Sequence, residues 1–129
     1  MPVYALREVA QLLGVSVDTA RRWADGGRLP VSLDEHGHRG VEGKALAAFA
    51  VEQAGRDDVA TPSSMRNRFP GIVTRVVRGD VAAQVEIQAG PHRLVSLLTR
   101  EAVDELDLQE GDRATAVVKA TNVAVELPP

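Results

Sequence analysis

The chain has 129 residues, of which 44% are hydrophobic and only 3% aromatic, and this composition fits one ordinary domain or two small ones with thin cores. It contains no cysteine, which excludes disulfides and thiolate metal sites, and no apolar run approaches the roughly 20 residues that cross a membrane. The formal net charge of −3 argues against a protein that coats nucleic acid through bulk positive charge. Because no basic, apolar leader precedes the first motif, we expect a cytoplasmic protein. Because the cores are thin, we expect it to bury further surface as an oligomer.

The first half of the chain follows helical spacing. An apolar stripe at positions i, i+3, i+4 and i+7 predicts a helix from Leu6 to Leu13 that ends at Gly14. Ser16 can cap a second helix, which begins directly after it. Because glycine permits a tight turn between two closely packed helices, this spacing predicts a helix-turn-helix unit.

Two short segments around a polar, glycine-bearing turn follow from Arg28 to Val41 and predict a hairpin wing. Helical spacing resumes from Glu42 to Gln53 and predicts a third helix that closes a small core, to which Trp23 is also assigned. His36 and His38 alternate on the hairpin. No third ligand lies near them in the sequence, so we predict no site for a free metal cation.

This order of elements, over roughly residues 4 to 53, resembles the excisionase-like or MerR-like DNA-binding domains. The resemblance implies that the second helix enters the major groove of double-stranded DNA while the wing lies along the backbone. It nominates a set of polar and basic residues as DNA contacts: Ser16, Thr19, Arg21, Arg22, Arg28, His38 and Arg39. Each has a simpler alternative as a solvated side chain or a cap, but the clustering of arginines on the designated helix favours DNA contact.

The chain changes character near residue 60. Residues 54–63 have no apolar periodicity and carry residues typical of linkers. We therefore predict one domain over residues 1–53, a linker over 54–63 and a second domain over 64–129. Beyond the linker the apolar residues mostly alternate, which indicates strands.

Alternation is clearest from Val81 to Ala89, between a predicted strand over residues 71–77 and another over 93–98. Thr99 can cap a short helix over residues 100–106, and two last strands are predicted over 113–119 and 123–127. Five strands with one short helix suit an OB-type barrel. The predicted fold class is therefore α+β, with an N-terminal winged helix-turn-helix domain followed by a small five-stranded OB-like β-barrel.

Four motifs occur in order along the second half: Ser64-Met65-Arg66-Asn67, Gly71-Ile72-Val73, Ser96-Leu97-Leu98-Thr99 and Val118-Lys119-Ala120-Thr121-Asn122-Val123. With these motifs, residues 63–127 resemble the molybdate-binding Mop domain, also called the TOBE domain. The chain departs from the family pattern at Met65, where alanine is common. It departs again at Arg68-Phe69-Pro70, where a polar residue and an aliphatic one are usual.

The resemblance implies a site for a tetrahedral oxyanion, molybdate or tungstate, and no organic cofactor. Such a dianion is held best by several directed donors and one or two cations, for which Lys119 and Arg66 are available. The nominated oxyanion contacts are Ser64, Arg66, Asn67, Ser96, Thr99, Lys119, Ala120 and Thr121. Taken singly, each of them could instead begin a strand, cap a helix or form a turn. Sites of this family lie between subunits, so a homo-oligomer, a dimer or higher, is expected through the C-terminal barrel.

We therefore expect an oxyanion-responsive DNA-binding transcriptional regulator, in which ligand binding alters the spacing of two helix-turn-helix domains. The alternative is a cytoplasmic storage or trafficking protein for molybdate or tungstate whose N-terminal domain binds a protein partner, and the acidic overall charge favours it. An enzyme is not expected, because no nucleophile, base and orienting group are recognisable as a set.

Overall fold

The computed structural model describes residues 2–55 and 62–129, which fall into two compact units, Met1–Ala60 and Thr61–Pro129. Residues 56–61, which make up most of the predicted linker, lie outside the described residues. Four helices and two antiparallel sheets build the described part, so the expected α+β class is confirmed. In residues 2–55 and 62–129, none of the helices has the length and apolar character needed to span a bilayer.

Two consecutive helices begin the N-terminal unit, and their ends lie at the residues that the sequence indicates. Helix α1, Leu6–Leu13, stops at Gly14, whose φ of +69° favours glycine over other residues. Ser16 caps helix α2, Val17–Asp25, by accepting a hydrogen bond from the Thr19 N–H at 3.1 Å. The predicted helix-turn-helix is confirmed.

A three-stranded antiparallel sheet completes this unit together with a third helix. Its strands lie in the order β1-β3-β2, where β1 is Val3–Ala5, β2 is Ser32–Leu33 and β3 is Arg39–Glu42. Strands β2 and β3 form a short hairpin where the sequence indicates one, whereas β1 is not predicted because three residues carry no measurable period. Helix α3, Gly43–Ala54, follows β3 directly.

One hydrophobic core joins the elements of the N-terminal unit. Val9, Ala20 and Val41 are fully buried in it, and the Trp23 ring meets Phe49 edge-on with 5.1 Å between the ring centroids. Trp23 is therefore a core residue, as predicted. The core fixes one face of α2 and leaves its opposite, polar face in solvent.

The C-terminal unit is a curled four-stranded antiparallel sheet with one helix. Its strands lie in the order β6-β5-β4-β7, with bounds of Asn67–Arg78 for β4, Ala82–Ala89 for β5, His92–Thr99 for β6 and Arg113–Val118 for β7. Helix α4, Arg100–Leu106, starts at the predicted cap Thr99 and packs on the sheet through Val103, which is fully buried. Strand β4 pairs with β7 along its first half and with β5 along its second half, with a bulge between Val73 and Arg75.

Gly71 lets strand β4 pass close to β5. A Cβ atom at this position would lie 2.3 Å from the Gln88 carbonyl oxygen and 2.9 Å from Ile87 Cγ2. Gly71 also pairs with Ala114 of β7, so β4 is held from both sides at this point. The glycine of the Gly71-Ile72-Val73 motif is therefore required by strand packing.

The predicted fifth strand over residues 123–127 is wrong. These residues follow a single 3-10 turn, Ala120–Asn122, and run on without secondary structure, with Val125 and Leu127 exposed to 87% and 89%. An alternating segment becomes a strand only when it pairs with a partner edge, and within residues 62–129 this segment pairs with none. The described sheet has four strands rather than five.

Strand β5 differs from its predicted pattern at two positions. Val81 precedes the strand and is 82% exposed. Glu86 alternates with the apolar residues of the strand, yet it is buried, and Arg75 of β4 and Arg93 of β6 form ion pairs with it. The remaining apolar residues of the alternation, Ala83, Val85, Ile87 and Ala89, are buried, so the predicted alternation is confirmed for them.

Candidate functional site

The exposed face of α2 carries a row of hydrogen bonds between three of the predicted DNA contacts. The Ser16 and Thr19 hydroxyl oxygens lie 2.9 Å apart, and Arg22 Nη2 donates to Thr19 Oγ1 at 3.1 Å. Arg21 forms an exposed ion pair with Asp18 at 3.4 Å. Because Ser16, Thr19 and Arg22 follow one another at intervals of three residues, their polar groups line one side of the helix.

Arg28 makes contacts within its own unit. Its Nη2 atom donates to Gln53 Oε1 at 2.6 Å, and its guanidinium carbon lies 6.0 Å from the centroid of the Trp23 ring. These contacts tie the segment after α2 to the end of α3. Arg28 therefore has a structural role, and its contact with DNA stays a prediction.

An open groove of about 690 Å³ lies between the starts of α1 and α2 and the β2–β3 hairpin. His38 and Arg39 of the hairpin line it, together with Arg21 of α2 and with Arg7 of α1, a residue that the sequence reasoning missed. Four basic side chains from three segments therefore line one groove, which we call the basic groove. No sequence motif includes Arg7. Its place in the groove arises only in the folded chain, where the start of α1 lies beside the hairpin.

Carboxylates hold the hairpin side of the basic groove. Arg39 Nη1 lies 2.6 Å from Asp25 Oδ1, and His38 Nδ1 lies 3.3 Å from Asp34 Oδ2. Asp34 also accepts the backbone N–H groups of His36 and His38, each at 2.8 Å. The bond from the His38 N–H is the largest cause that lowers the pKa of Asp34 from its ordinary value of 3.8. Asp34 is therefore ionised at neutral pH and fixes the hairpin turn.

In the C-terminal unit, the structure brings one group of the predicted oxyanion contacts together. Asn67 Nδ2 donates to the Val118 carbonyl oxygen at 3.1 Å, and the two residues pair in the β4–β7 ladder. Arg66 precedes Asn67 and Lys119 follows Val118, so both lie at the same end of the sheet. Both residues are exposed, so this end of the sheet presents two cationic side chains to solvent.

Lys119 begins the 3-10 turn that carries two further predicted contacts. The Asn122 N–H donates to the Lys119 carbonyl oxygen at 2.9 Å, and the Val123 N–H donates to the Ala120 carbonyl oxygen at 3.3 Å. The first amides of such a turn have no acceptor within it. The N–H groups of Ala120 and Thr121 are therefore available to an anion.

Arg66 is folded back on the loop that precedes β4. Its Nη1 atom donates to the Ser63 carbonyl oxygen at 3.0 Å, and the Met65 N–H donates to the Ser63 hydroxyl at 3.0 Å. Ser64, the predicted contact between them, is exposed. Because these groups face water, an anion can replace the bond to Arg66 at small cost.

Ser96 and Thr99 lie on β6, at the other edge of the sheet. Ser96 lines an apolar cleft of about 490 Å³ that β7 also lines. The Thr99 hydroxyl caps α4 by accepting the Ala102 N–H at 3.1 Å and keeps its own proton to donate. Within residues 62–129 no hydrogen bond or ion pair joins these two residues to Arg66 or Lys119. Ser96 nevertheless faces the same cleft as Val117 and Val118, which directly precede Lys119 in the chain.

Comparison with known proteins gives a family match for each unit. Residues 63–125 match the TOBE domain, and residues 3–53 match a helix-turn-helix domain. Molybdenum-pterin-binding protein 2 of Clostridium pasteurianum is 38% identical over 63 residues, which are 48% of this chain and 93% of that protein.

Two longer proteins are similar over about half of this chain. Molybdenum transport protein ModE of Herbaspirillum seropedicae is 44% identical over 63 residues, which are 48% of this chain and 23% of ModE. The crystal structure of the cytoplasmic molybdate-binding protein ModG, with molybdate bound, matches with a TM-score of 0.51 and 37% identity, covering 54% of this chain and 50% of that chain.

Proposed function

Because the chain belongs through residues 63–125 to the TOBE-domain family, we propose that its C-terminal half binds molybdate or the closely similar oxyanion tungstate. The likeness to a molybdenum-pterin-binding protein over 93% of that protein's length supports this choice of ligand. The likeness to ModG, whose crystal structure holds molybdate, supports it as well. Tungstate is included because its size and charge are nearly those of molybdate.

The donors at the Arg66–Lys119 end of the sheet suit such a dianion. Arg66 and Lys119 supply positive charge, and the N–H groups of Ala120 and Thr121 supply directed donors. The bond from Asn67 to Val118 holds the two segments beside one another. A tetrahedral oxyanion presents an oxygen in each of four directions, so it can accept from several of these groups at once.

A homo-oligomer is part of the proposal, because within residues 62–129 Ser96 and Thr99 form no hydrogen bond or ion pair with Arg66 or Lys119. In this proposal Ser96 and Thr99 of a second copy complete the site that Arg66 and Lys119 begin. Assembly would also remove apolar surface from water, since Val125 and Leu127 are 87% and 89% exposed in one copy. Ligand bound between copies then stabilises the assembly by mass action.

The N-terminal half supplies the second part of the proposal, which is binding of double-stranded DNA. The exposed face of α2, with Ser16, Thr19 and Arg22 in one row, is suited to the major groove. The observation that carries the proposed function is that a helix-turn-helix domain and a TOBE domain occupy one chain. In this proposal the chain is a binding protein rather than an enzyme. It acts in the cytoplasm as a transcriptional regulator that responds to molybdate.

Calorimetric titration of the full chain with molybdate, with sulfate as competitor, tests the oxyanion site. Loss of one charged hydrogen bond costs about 1.5–3 kcal/mol, so Lys119→Ala should weaken binding by about 10- to 150-fold. The matched control is Lys44→Ala, because Lys44 is the only other lysine of the chain and lies on α3. Unchanged molybdate affinity in Lys119→Ala would show that the site is assigned wrongly.

Coupling between the two halves is tested by DNA binding with and without molybdate. An operator selected from a random DNA pool serves as the probe, and analytical ultracentrifugation of the same samples reports the assembly state. We expect a change in DNA affinity on addition of molybdate. Equal DNA affinity with and without molybdate would refute the proposed coupling between the two halves. It would not contradict DNA binding or molybdate binding.

A storage or trafficking role is the second candidate. The net charge of −3 favours this role. It is also favoured because a molybdenum-pterin-binding protein aligns over 93% of its own length with only 48% of this chain. In that case the N-terminal unit binds a protein partner. Binding that is insensitive to salt and unaffected by Arg22→Ala would favour this role, because phosphate contacts release counterions.

A further inference from the structure

Among residues 2–55, Arg7 differs from the other three residues of the basic groove in having no partner. Those three, Arg21, Arg39 and His38, each lie within 4 Å of a carboxylate, at 3.4 Å, 2.6 Å and 3.3 Å. Within residues 2–55 Arg7 forms no ion pair and no side-chain hydrogen bond, and it is exposed. Its positive charge is therefore available to a ligand.

The start of α1 places Arg7 at the edge of the groove, where no carboxylate of residues 2–55 pairs with it. Glu8, the neighbouring acid, is occupied in accepting the Ala5 N–H at 3.1 Å. On the opposite side, the groove is lined at the hairpin turn by Gly37, which has no side chain to cover it. An anion in the groove would meet Arg7 from α1 and Arg39 from the hairpin.

The chemistry of the groove suits a run of phosphates. Arg21 lines the groove and also belongs to the exposed part of α2, so a ligand that fills the groove continues onto that helix. A duplex that takes α2 into its major groove has a sugar–phosphate strand directly beside the helix. Arginine suits that strand because its planar guanidinium binds two phosphate oxygens together.

We propose that the basic groove holds the sugar–phosphate backbone of one DNA strand, with Arg7 as a phosphate contact. This inference rests on the proposed DNA binding by the N-terminal unit and adds to it Arg7, a contact from α1 that the sequence analysis does not nominate. A phosphate that reaches Arg7 displaces no carboxylate of residues 2–55, whereas Arg21 and Arg39 must exchange Asp18 and Asp25 for phosphate.

Fluorescence anisotropy of the full chain with a labelled, mixed-sequence DNA duplex over a range of salt concentrations tests the contact. Removal of one side chain that neutralises a phosphate lowers the slope of log affinity against log salt by about 0.9. Arg7→Ala should show this decrease with unchanged helix content, because alanine is the best helix former. Arg7→Lys should keep the slope, because lysine also releases a counterion. Lys44→Ala removes the same charge from α3, outside the groove, and should leave the slope unchanged.

The failure of this inference can be told from the failure of DNA binding itself. If the wild-type chain binds with a salt-dependent affinity and Arg7→Ala has the wild-type slope, the groove assignment alone is overturned. Equal decreases of slope in Arg7→Ala and Lys44→Ala also overturn it, because bulk charge then explains both. No binding of the wild-type chain at low salt would refute the proposed DNA binding and the groove with it.

Discussion

Replacement of Gly71 by alanine perturbs the closest approach between β4 and β5. The new Cβ atom would lie 2.3 Å from the carbonyl oxygen and 2.9 Å from the carbonyl carbon of Gln88. Carbon and oxygen atoms in neighbouring strands normally stay about 3.3–3.6 Å apart, so the strands must separate by about 1 Å. Because both atoms belong to the backbone, no rotation of a side chain can relieve the contact.

The expected loss is large for a unit of this size. Overpacking of this kind costs about 1–3 kcal/mol, and weakening one ladder hydrogen bond adds about 1 kcal/mol, which gives about 2–4 kcal/mol in total. The C-terminal unit spans residues 61–129. At about 0.05–0.15 kcal/mol per residue its whole stability is about 3–10 kcal/mol. Gly71→Ala is therefore expected to remove at least about a fifth of that stability, and most of it if the unit lies at the low end of the range.

Urea unfolding with one signal for each unit measures this loss. Trp23 is the only tryptophan of the chain, so its fluorescence reports the N-terminal unit, while hydrogen–deuterium exchange of β4 and β5 peptides reports the C-terminal one. We expect exchange protection to disappear at lower urea, with the Trp23 transition unchanged. Gly90→Ala is the comparison, because a Cβ there meets nothing within 4 Å and only its φ of +56° opposes alanine, at about 1–2 kcal/mol, so it should shift the C-terminal transition less than Gly71→Ala does. Unfolding of Gly71→Ala at the wild-type urea concentration would refute the packing argument.

Three further predictions concern ion pairs and caps. Arg93→Ala should lower the free energy of unfolding by about 1 kcal/mol, because the buried Glu86 carboxylate then keeps only Arg75, at 3.8 Å. Glu86→Gln should cost less, since it removes the buried charge itself. Equal losses in urea unfolding would contradict this. Ser16→Ala should cost about 1 kcal/mol in thermal unfolding followed by Trp23 fluorescence, since it removes the cap of α2, and an unchanged transition would count against the cap. The pKa of Asp34 is lowered in the folded chain, so its support of the hairpin is complete above pH 3.8 and lost as pH falls through the folded value; an NMR titration giving a pKa above 3.8 would be inconsistent with this.

The helices could be predicted because their signals are local. The cap at Ser16 and the left-handed glycine at Gly14 lie next to the residues whose conformation they set, and the apolar period that precedes Gly14 fixes the buried face of α1. The same holds for Thr99 and α4. In each case the information needed lies within a few residues of the helix end.

Strands at the ends of the sheet could not be predicted in the same way, because pairing depends on distant residues. Val81 continues the alternation of β5 in the sequence, yet it lies before the first paired residue. Residues 123–127 alternate as well, but nothing in their own sequence states which strand edge they pair with. Alternation gives the faces of a strand and leaves its partner undetermined.

The site residues divide along the same line. Motifs singled out Arg66 and Lys119, and the pairing of Asn67 with Val118 places them at one end of the sheet. The position of Arg7 in the basic groove depends on a hairpin far along the chain, so no local pattern indicates it. Arg28 clusters with other arginines in sequence, but its contact with Gln53 arises only in the folded unit.

The open edges of the C-terminal sheet have a consequence for how much of this protein a cell can hold. Strands β6 and β7 each pair on one side only within residues 62–129, and β7 carries a single charged residue, Arg113. Unpaired edges with few charges recruit other strands, and proteins usually protect them with lysine, proline or bulges. Chains produced faster than they find their proper neighbours are therefore expected to pair through these edges and aggregate.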